Sequence, residues 1–376
     1  MDVPLPTQRR ARAGSRSLRL PLLLVCVALV FSGEQSLAQR APAPPPAQPA
    51  QSPAPLGDAA SELKQGTALT RTGQFEEAIP HLLAAQRAGA DRYATTVNLA
   101  ICSLGLRRYP DVINLLTSLQ SVGYNTAPVD NLLTQAYIGA KQTALALQSF
   151  AAAAALTPED EKLYAFIADA CTDHQAYALG LHVTELGLHH LPNSARLHYE
   201  RALFLAQLDR LNEARPEFNQ AAQLAPGGYI AYLAQVQIDL YDDRFPAAIA
   251  LLHEAINAGH RDYQMLSLLG TVLMDAGALP GSPEFLEARD ALEASVLNRP
   301  DYSATQIALG KLYLMEDRYQ AAADHLEIAL RLEPDNPAVY TNLAHAYRRL
   351  GKREKATRMQ AALAQLLARK NSSPIP

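Results

Sequence analysis

The chain has no tryptophan, 6% aromatic residues and three cysteines in 376 positions, although 49% of its residues are apolar. So few large side chains argue against one thick core and for many thin layers. Cysteine is too scarce for a disulfide framework. There is no excess of positive charge either, with 33 basic against 37 acidic residues. That balance excludes ordinary nucleic-acid binding, whose affinity comes mostly from neutralising phosphates. A paired-histidine zinc helix, a Cys-x-x-Cys pair, a glycine-rich phosphate loop and a Gly-x-Ser-x-Gly elbow are all absent. The ten histidines, of which His189, His190 and His198 are the closest group, lack ligand spacing. No catalytic residue, metal or cofactor is expected.

The longest apolar run, Leu20 to Phe31, has 12 residues and contains Pro21. It falls short of the roughly 20 needed to span a bilayer. Five arginines precede it (Arg9, Arg10, Arg12, Arg16 and Arg19), and Ser36-Leu37-Ala38 follows. This is the layout of a secretory signal peptide over residues 1–38, cleaved after Ala38. The expected location is therefore periplasmic or secreted. Membrane contact arises only if the segment is kept as an anchor. Removal would leave 28 basic and 35 acidic residues, a net charge of −7. Residues 39–57 are dominated by proline and alanine, as in Ala41-Pro42-Ala43-Pro44-Pro45-Pro46, and read as an extended linker of at most roughly 60 Å.

From residue 58 to 370 the chain repeats itself every 34 residues, leaving a short tail at 371–376. Ala78, Ala146, Ala214 and Ala248 are separated by multiples of 34, with Val112 and Gly180 at the two intermediate places. After a six-residue slip come Ala288, Ala322 and Ala356. The eighth place of each unit is usually small, as at Gly66, Ala100, Ala168, Ala202, Gly270, Gly310 and Ala344. The second half of a unit opens near an aromatic (Phe75, Tyr109, Tyr177, Phe245, Phe285, Tyr319) and sends Leu82, Leu116, Phe150, Phe218, Leu252, Leu292 and Leu326 inward. Pro158, Pro192, Pro226, Pro300 and Pro334 close five units. Apolar residues three, four and seven apart give each half one helical stripe. A lone helix pair cannot bury such a stripe, so the pairs must stack.

These marks resemble the tetratricopeptide repeat (TPR) family, here as a bacterial, exported member. The resemblance implies an all-α fold, a right-handed α-solenoid of stacked antiparallel helix pairs with nine 34-residue repeats. Small residues at the eighth place let helices approach closely, and the closing proline stops the second helix. Asp58 is the expected N-cap of the first helix. Gly180, inside a second helix, costs about 1 kcal/mol of propensity against alanine and reads as a softer point. Cys102 and Cys171 fall in first helices two units apart, too far for a disulfide, and read as inert core residues. Arg353 and Gln360 replace apolar residues in the last helix, while Leu363, Leu366 and Leu367 stay apolar, so this helix ends the stack with one face to water. The extra residues around Leu279-Pro280-Gly281-Ser282-Pro283 lengthen one inter-helix loop.

In the family the first helix of each unit lines a concave groove. Carried onto this sequence, that face holds Phe166, Asp169, Asp173, Tyr199, Leu203, Tyr241, Met274, Lys311, Met315, His345, Arg348 and Arg349, apolar in the middle and basic at the far end. Asp169 and Asp173, one turn apart, read as an open, solvated pair. The Lys and Asn that grip acidic C-termini in some members are Leu63 and Thr67 here. Of the asparagine ladder of the sugar-transferase relatives, only Asn98 and Asn342 are present. The resemblance implies a non-catalytic scaffold that binds a protein or peptide in the envelope, without nucleic acid or metal. An assembly factor acting through outer surfaces is the alternative, and a glycan-binding accessory module a third. No oligomeric state follows from the sequence.

Overall fold

The computed structural model describes residues 56–372; the expected leader and most of the expected linker lie outside the described residues. Among the described residues the regular structure is entirely α-helical. Eighteen helices form nine antiparallel pairs: α1 (Leu56–Arg71) with α2 (Phe75–Arg87), α3 (Arg92–Gly105) with α4 (Tyr109–Gln120), and α5 (Ala127–Gly139) with α6 (Thr143–Leu156). Next come α7 (Glu161–Asp173) with α8 (Tyr177–His190), α9 (Ala195–Gln207) with α10 (Leu211–Leu224), and α11 (Tyr229–Tyr241) with α12 (Phe245–Asn257). The last are α13 (Tyr263–Asp275) with α14 (Pro283–Asn298), α15 (Ser303–Met315) with α16 (Tyr319–Leu332), and α17 (Pro337–Arg349) with α18 (Arg353–Ser372). The chain is thus an α-solenoid.

Local chemistry sets where the helices start and stop. Asp91, Asp160, Ser194, Asp262 and Asn336 cap first helices by accepting backbone N–H bonds. Each closing proline stands two residues beyond its helix, as Pro158 follows Leu156 and Pro334 follows Leu332. In four junctions the proline carbonyl is then taken up by the fourth residue of the next unit: Tyr164, His198, Gln306 and Tyr340. Asp58 is not an N-cap, because α1 already begins at Leu56 and takes Asp58 into its first turn. At the other end, α18 continues to Ser372, into the expected tail.

Within a pair the turn is three residues long, and its middle residue is left-handed throughout. Arg107, Lys141, Gln175, Asp209, Asp243 and Asp317 hold φ between 55° and 59°. Gly73, Gly277 and Gly351 occupy the same place in the remaining units. Only in the seventh pair is the turn longer. There the loop between α13 and α14 carries exposed Leu279, and Ser282 caps α14 by accepting the Phe285 N–H at 3.2 Å.

Packing follows the small-residue pattern. A Cβ added to Gly66 would meet Leu82 at 2.7 Å, one on Gly270 would meet Leu292 at 2.5 Å, and one on Gly310 would meet Leu326 at 2.4 Å. Gly180 is no soft point. The ring of Phe204, from the next first helix, lies 2.4 Å from where its Cβ would be, so glycine is what allows α8 and α9 to close. One hydrophobic cluster runs without a break from Tyr93 to Ala356. A smaller one, of Ala78, Leu82, Leu99 and Cys102, joins the first pair to α3. Cys102 and Cys171 are free and buried. In α18 Ala356 and Leu366 are buried while Arg353, Gln360 and also Leu367 are exposed, so this helix turns one side to water.

Candidate functional site: the row of first helices

First helices stand side by side from α1 to α17, each against the next, with α11 and α13 further apart than other neighbours. Second helices form the other layer. The twelve residues expected to line the groove all lie in this row, but they do not form one open surface.

In the middle the row is closed. Tyr199 and Leu203 are 0% and 2% exposed and belong to the core, which corrects their assignment as groove residues. The reason is the stacking of aromatic rings between layers. Tyr199 packs edge-on to Phe218 at 5.7 Å, and Phe218 packs on Tyr241 at 5.8 Å. Tyr241 is half-buried, and burial pushes its phenol well above the usual range. Phe166 and Met274 are half-buried as well.

Asp169 and Asp173 do not form an open pair. Asp173 is exposed, but the Arg196 guanidinium donates to both Asp169 oxygens, at 3.0 and 3.1 Å. Glu200, one turn along α9, lies 3.9 Å from the Arg196 Nε. Two acids and one arginine thus share a largely buried site. Burial, and then the neighbouring Glu200, push the Asp169 carboxyl well above the usual carboxylate range, against the pull of Arg196. Burial likewise raises Glu200 to about 7.

Arg196 was not legible as a site residue from its own unit alone. The signal is its distance from Asp169, 27 residues, one period less two helical turns. The same interval links Arg215 with Asp242 and Arg289 with Glu316, both ion pairs between neighbouring units. Further along the row, Gln237 Nε2, Gln264 Nε2 and Ser267 Oγ are buried without a hydrogen-bond partner. Each such atom costs about 1–3 kcal/mol.

The far end is open. Met315 is 41% exposed, His345, Arg348 and Arg349 are exposed, and Lys311 is half-buried. The Arg349 guanidinium sits 4.8 Å over the Tyr319 ring and 3.9 Å from Asp317. Arg348 donates to the Ala344 carbonyl and has no ion-pair partner among the described residues. An apolar thioether beside cations is a surface suited to a carboxylate-bearing peptide.

With this geometry in hand, sequence models of known families match residues 183–229, 284–337 and 313–373. The matched segments are tetratricopeptide repeats. The fold of the helical array is similar to that of a chain in the crystal structure of the APC/C hetero-tetramer Cut9-Hcn1, at 15% identity and a TM-score of 0.51. That likeness covers 82% of this chain and 66% of the other. It is also similar to YrrB, described as a TPR protein with an unusual peptide-binding site, at 17% identity and a TM-score of 0.34 over 49% of this chain and 91% of that one. The human IFIT1 dimer with m7Gppp-AAAA is similar at 14% identity and a TM-score of 0.42, over 83% and 90% of the two chains. Identities this low show the fold alone. No curated protein matches the sequence. Among the described residues no group of three or more His, Cys, Asp or Glu is placed to hold a metal ion, and no helix is long and apolar enough to cross a membrane.

Proposed function

We propose that this protein is a non-catalytic, exported scaffold that holds a peptide bearing carboxylates and an apolar side chain at the C-terminal end of its row of first helices. The TPR units support the role of interaction scaffold. One observation carries the choice of surface: Tyr199 and Leu203 are sealed in the core, whereas Met315, His345, Arg348 and Arg349 are exposed. The helix pairs from the second onward are held by one continuous core, so the surface is preformed and the array loses little entropy on binding. The arginines supply charge-assisted hydrogen bonds, and Met315 supplies an adaptable apolar contact.

Fluorescence anisotropy with short labelled peptides of Asp, Glu, Leu and Phe tests this reading. Arg348→Glu with Arg349→Glu is expected to weaken binding at least tenfold, about 1.4 kcal/mol, at unchanged helicity. Undiminished affinity in that double variant sinks the assignment. Export rests on the leader-like residues 1–38, and mass spectrometry of the secreted protein is expected to find Gln39 at its N-terminus.

A further inference from the structure

The outer layer is interrupted near its N-terminal end. Between α2 and α4, over α3, lies a crevice of about 480 Å³. It opens on the side away from the concave row, and neither the groove nor its basic end contributes to it.

The register of the repeat explains why the crevice exists. In the eighth unit Tyr313, in α15, reaches back and its hydroxyl donates to Glu293 of α14 at 2.8 Å. In the ninth unit Tyr347 does the same to Glu327 of α16. Each bond ties a first helix to the outer helix of the preceding pair. The corresponding pair between the first two units is Leu83 and Ser103. The Tyr–Glu bond is particular to those two junctions, but the place of Ser103 is held elsewhere by larger residues such as Tyr137, Leu205 and Leu273, so serine fills least of the space between α2 and α4. Leu83 is 40% exposed. Ile79 and Leu115 add apolar walls.

The crevice also lies on a seam. The first pair shares a small core cluster with Leu99 and Cys102 of α3, and half-buried Leu115 packs against both this cluster and the continuous one. Whatever fills the space would add to the contacts that already hold the first pair to α3.

Charge indicates the occupant. Arg92 begins α3 and Arg108 immediately precedes α4, so the two stand near opposite ends of the 14-residue α3, about 21 Å apart at 1.5 Å per residue. Neither has an ion-pair partner among the described residues. Asp111 is the single acid in the lining. A trough with Ile79, Leu83 and Leu115 as apolar walls and an arginine without an ion pair toward each end matches an amphipathic helix of three to four turns that carries carboxylates beside its apolar stripe.

We infer that this crevice is a second docking site, for an acidic amphipathic helix of a partner protein. The probe is a synthetic 15-residue helix with a leucine stripe and glutamates on the other positions, titrated into the full chain by fluorescence anisotropy. A counterpart with lysines replacing the glutamates is run beside it. The glutamate helix is expected to bind at least tenfold more tightly than the lysine helix. Ser103→Tyr with Leu83→Glu, which introduces a Tyr–Glu strut there, should cut that binding at least tenfold without lowering the melting temperature. Arg348→Glu with Arg349→Glu should leave it unchanged, which separates this site from the basic end of the concave row. If the strut variant fails to fold, Arg92→Glu with Arg108→Glu takes its place, and the preference must then pass to the lysine helix. Equal binding of both helices, binding that survives the introduced strut, or binding by neither helix overturns the inference. So does concentration-dependent dimerisation abolished by the introduced strut, because the occupant would then be a second copy of the chain.

Discussion

The Phe204 ring occupies the space where a side chain on residue 180 would begin: a Cβ on Gly180 would lie 2.4 Å from the Phe204 Cζ. The glycine of α8 and the aromatic of α9 are therefore one packing unit, joining the fourth pair to the fifth. Gly180→Ala improves helix propensity by about 1 kcal/mol but overpacks this contact, at a cost of about 1–3 kcal/mol. Net destabilisation is expected in urea denaturation. A more stable alanine variant would show that the ring moves aside freely.

The turns within pairs supply a second test. Gln175 holds φ 56° where Gly351 holds 73° at the equivalent place. A left-handed residue with a Cβ costs roughly 1–2 kcal/mol, and glycine returns about 0.5–1 kcal/mol of that through the entropy of the unfolded chain. Gln175→Gly should raise the melting temperature slightly, and Gly351→Ala should lower it. Shifts of the same sign would refute the account.

Glu200 makes stability depend on pH. Burial raises its folded value to about 7, above its ordinary value of 4.5. Between those values the folded chain binds more protons than the unfolded chain. Its contribution is therefore fully present below about pH 4.5 and is lost as pH rises through about 7. Asp169, also raised by burial, acts in the same direction. Denaturation midpoints are expected to fall from pH 5 to pH 8, and Glu200→Gln should flatten the fall. An unchanged slope in that variant would place the titration elsewhere.

Arg196 compensates both buried acids. Arg196→Met should cost about 3–5 kcal/mol, because it leaves Asp169 and Glu200 without their counter-charge. Replacing all three together, with Asp169→Leu and Glu200→Leu added, should recover most of the loss. Thermal melts of the single and triple variants measure both effects. A harmless single variant would mean that the cluster is solvated.

Much of the fold was legible because each mark of the unit reports a local constraint. A proline at the close of a unit stops its second helix, and a small residue opposite a leucine or phenylalanine permits close approach in most units. Repetition in register turns nine weak signals into one strong one. The site was less legible. Tyr199 and Met315 both fall on the inner face of their helices, yet one is sealed and the other 41% exposed. Their difference depends on Phe218 packing beneath Tyr199, a contact between layers that a helical wheel does not contain. Gly180 misled for the same reason: propensity belongs to one helix, whereas its neighbour Phe204 belongs to the next.

The 34-residue period by itself determined that α-helices pair and stack, because a one-sided helical stripe has no other way to leave water. Tertiary structure alone decided which parts of that stack stay open. Residues far apart in the chain meet across units, and a short Ser103 or a long Phe204 opens or fills space only when its partner's position is known.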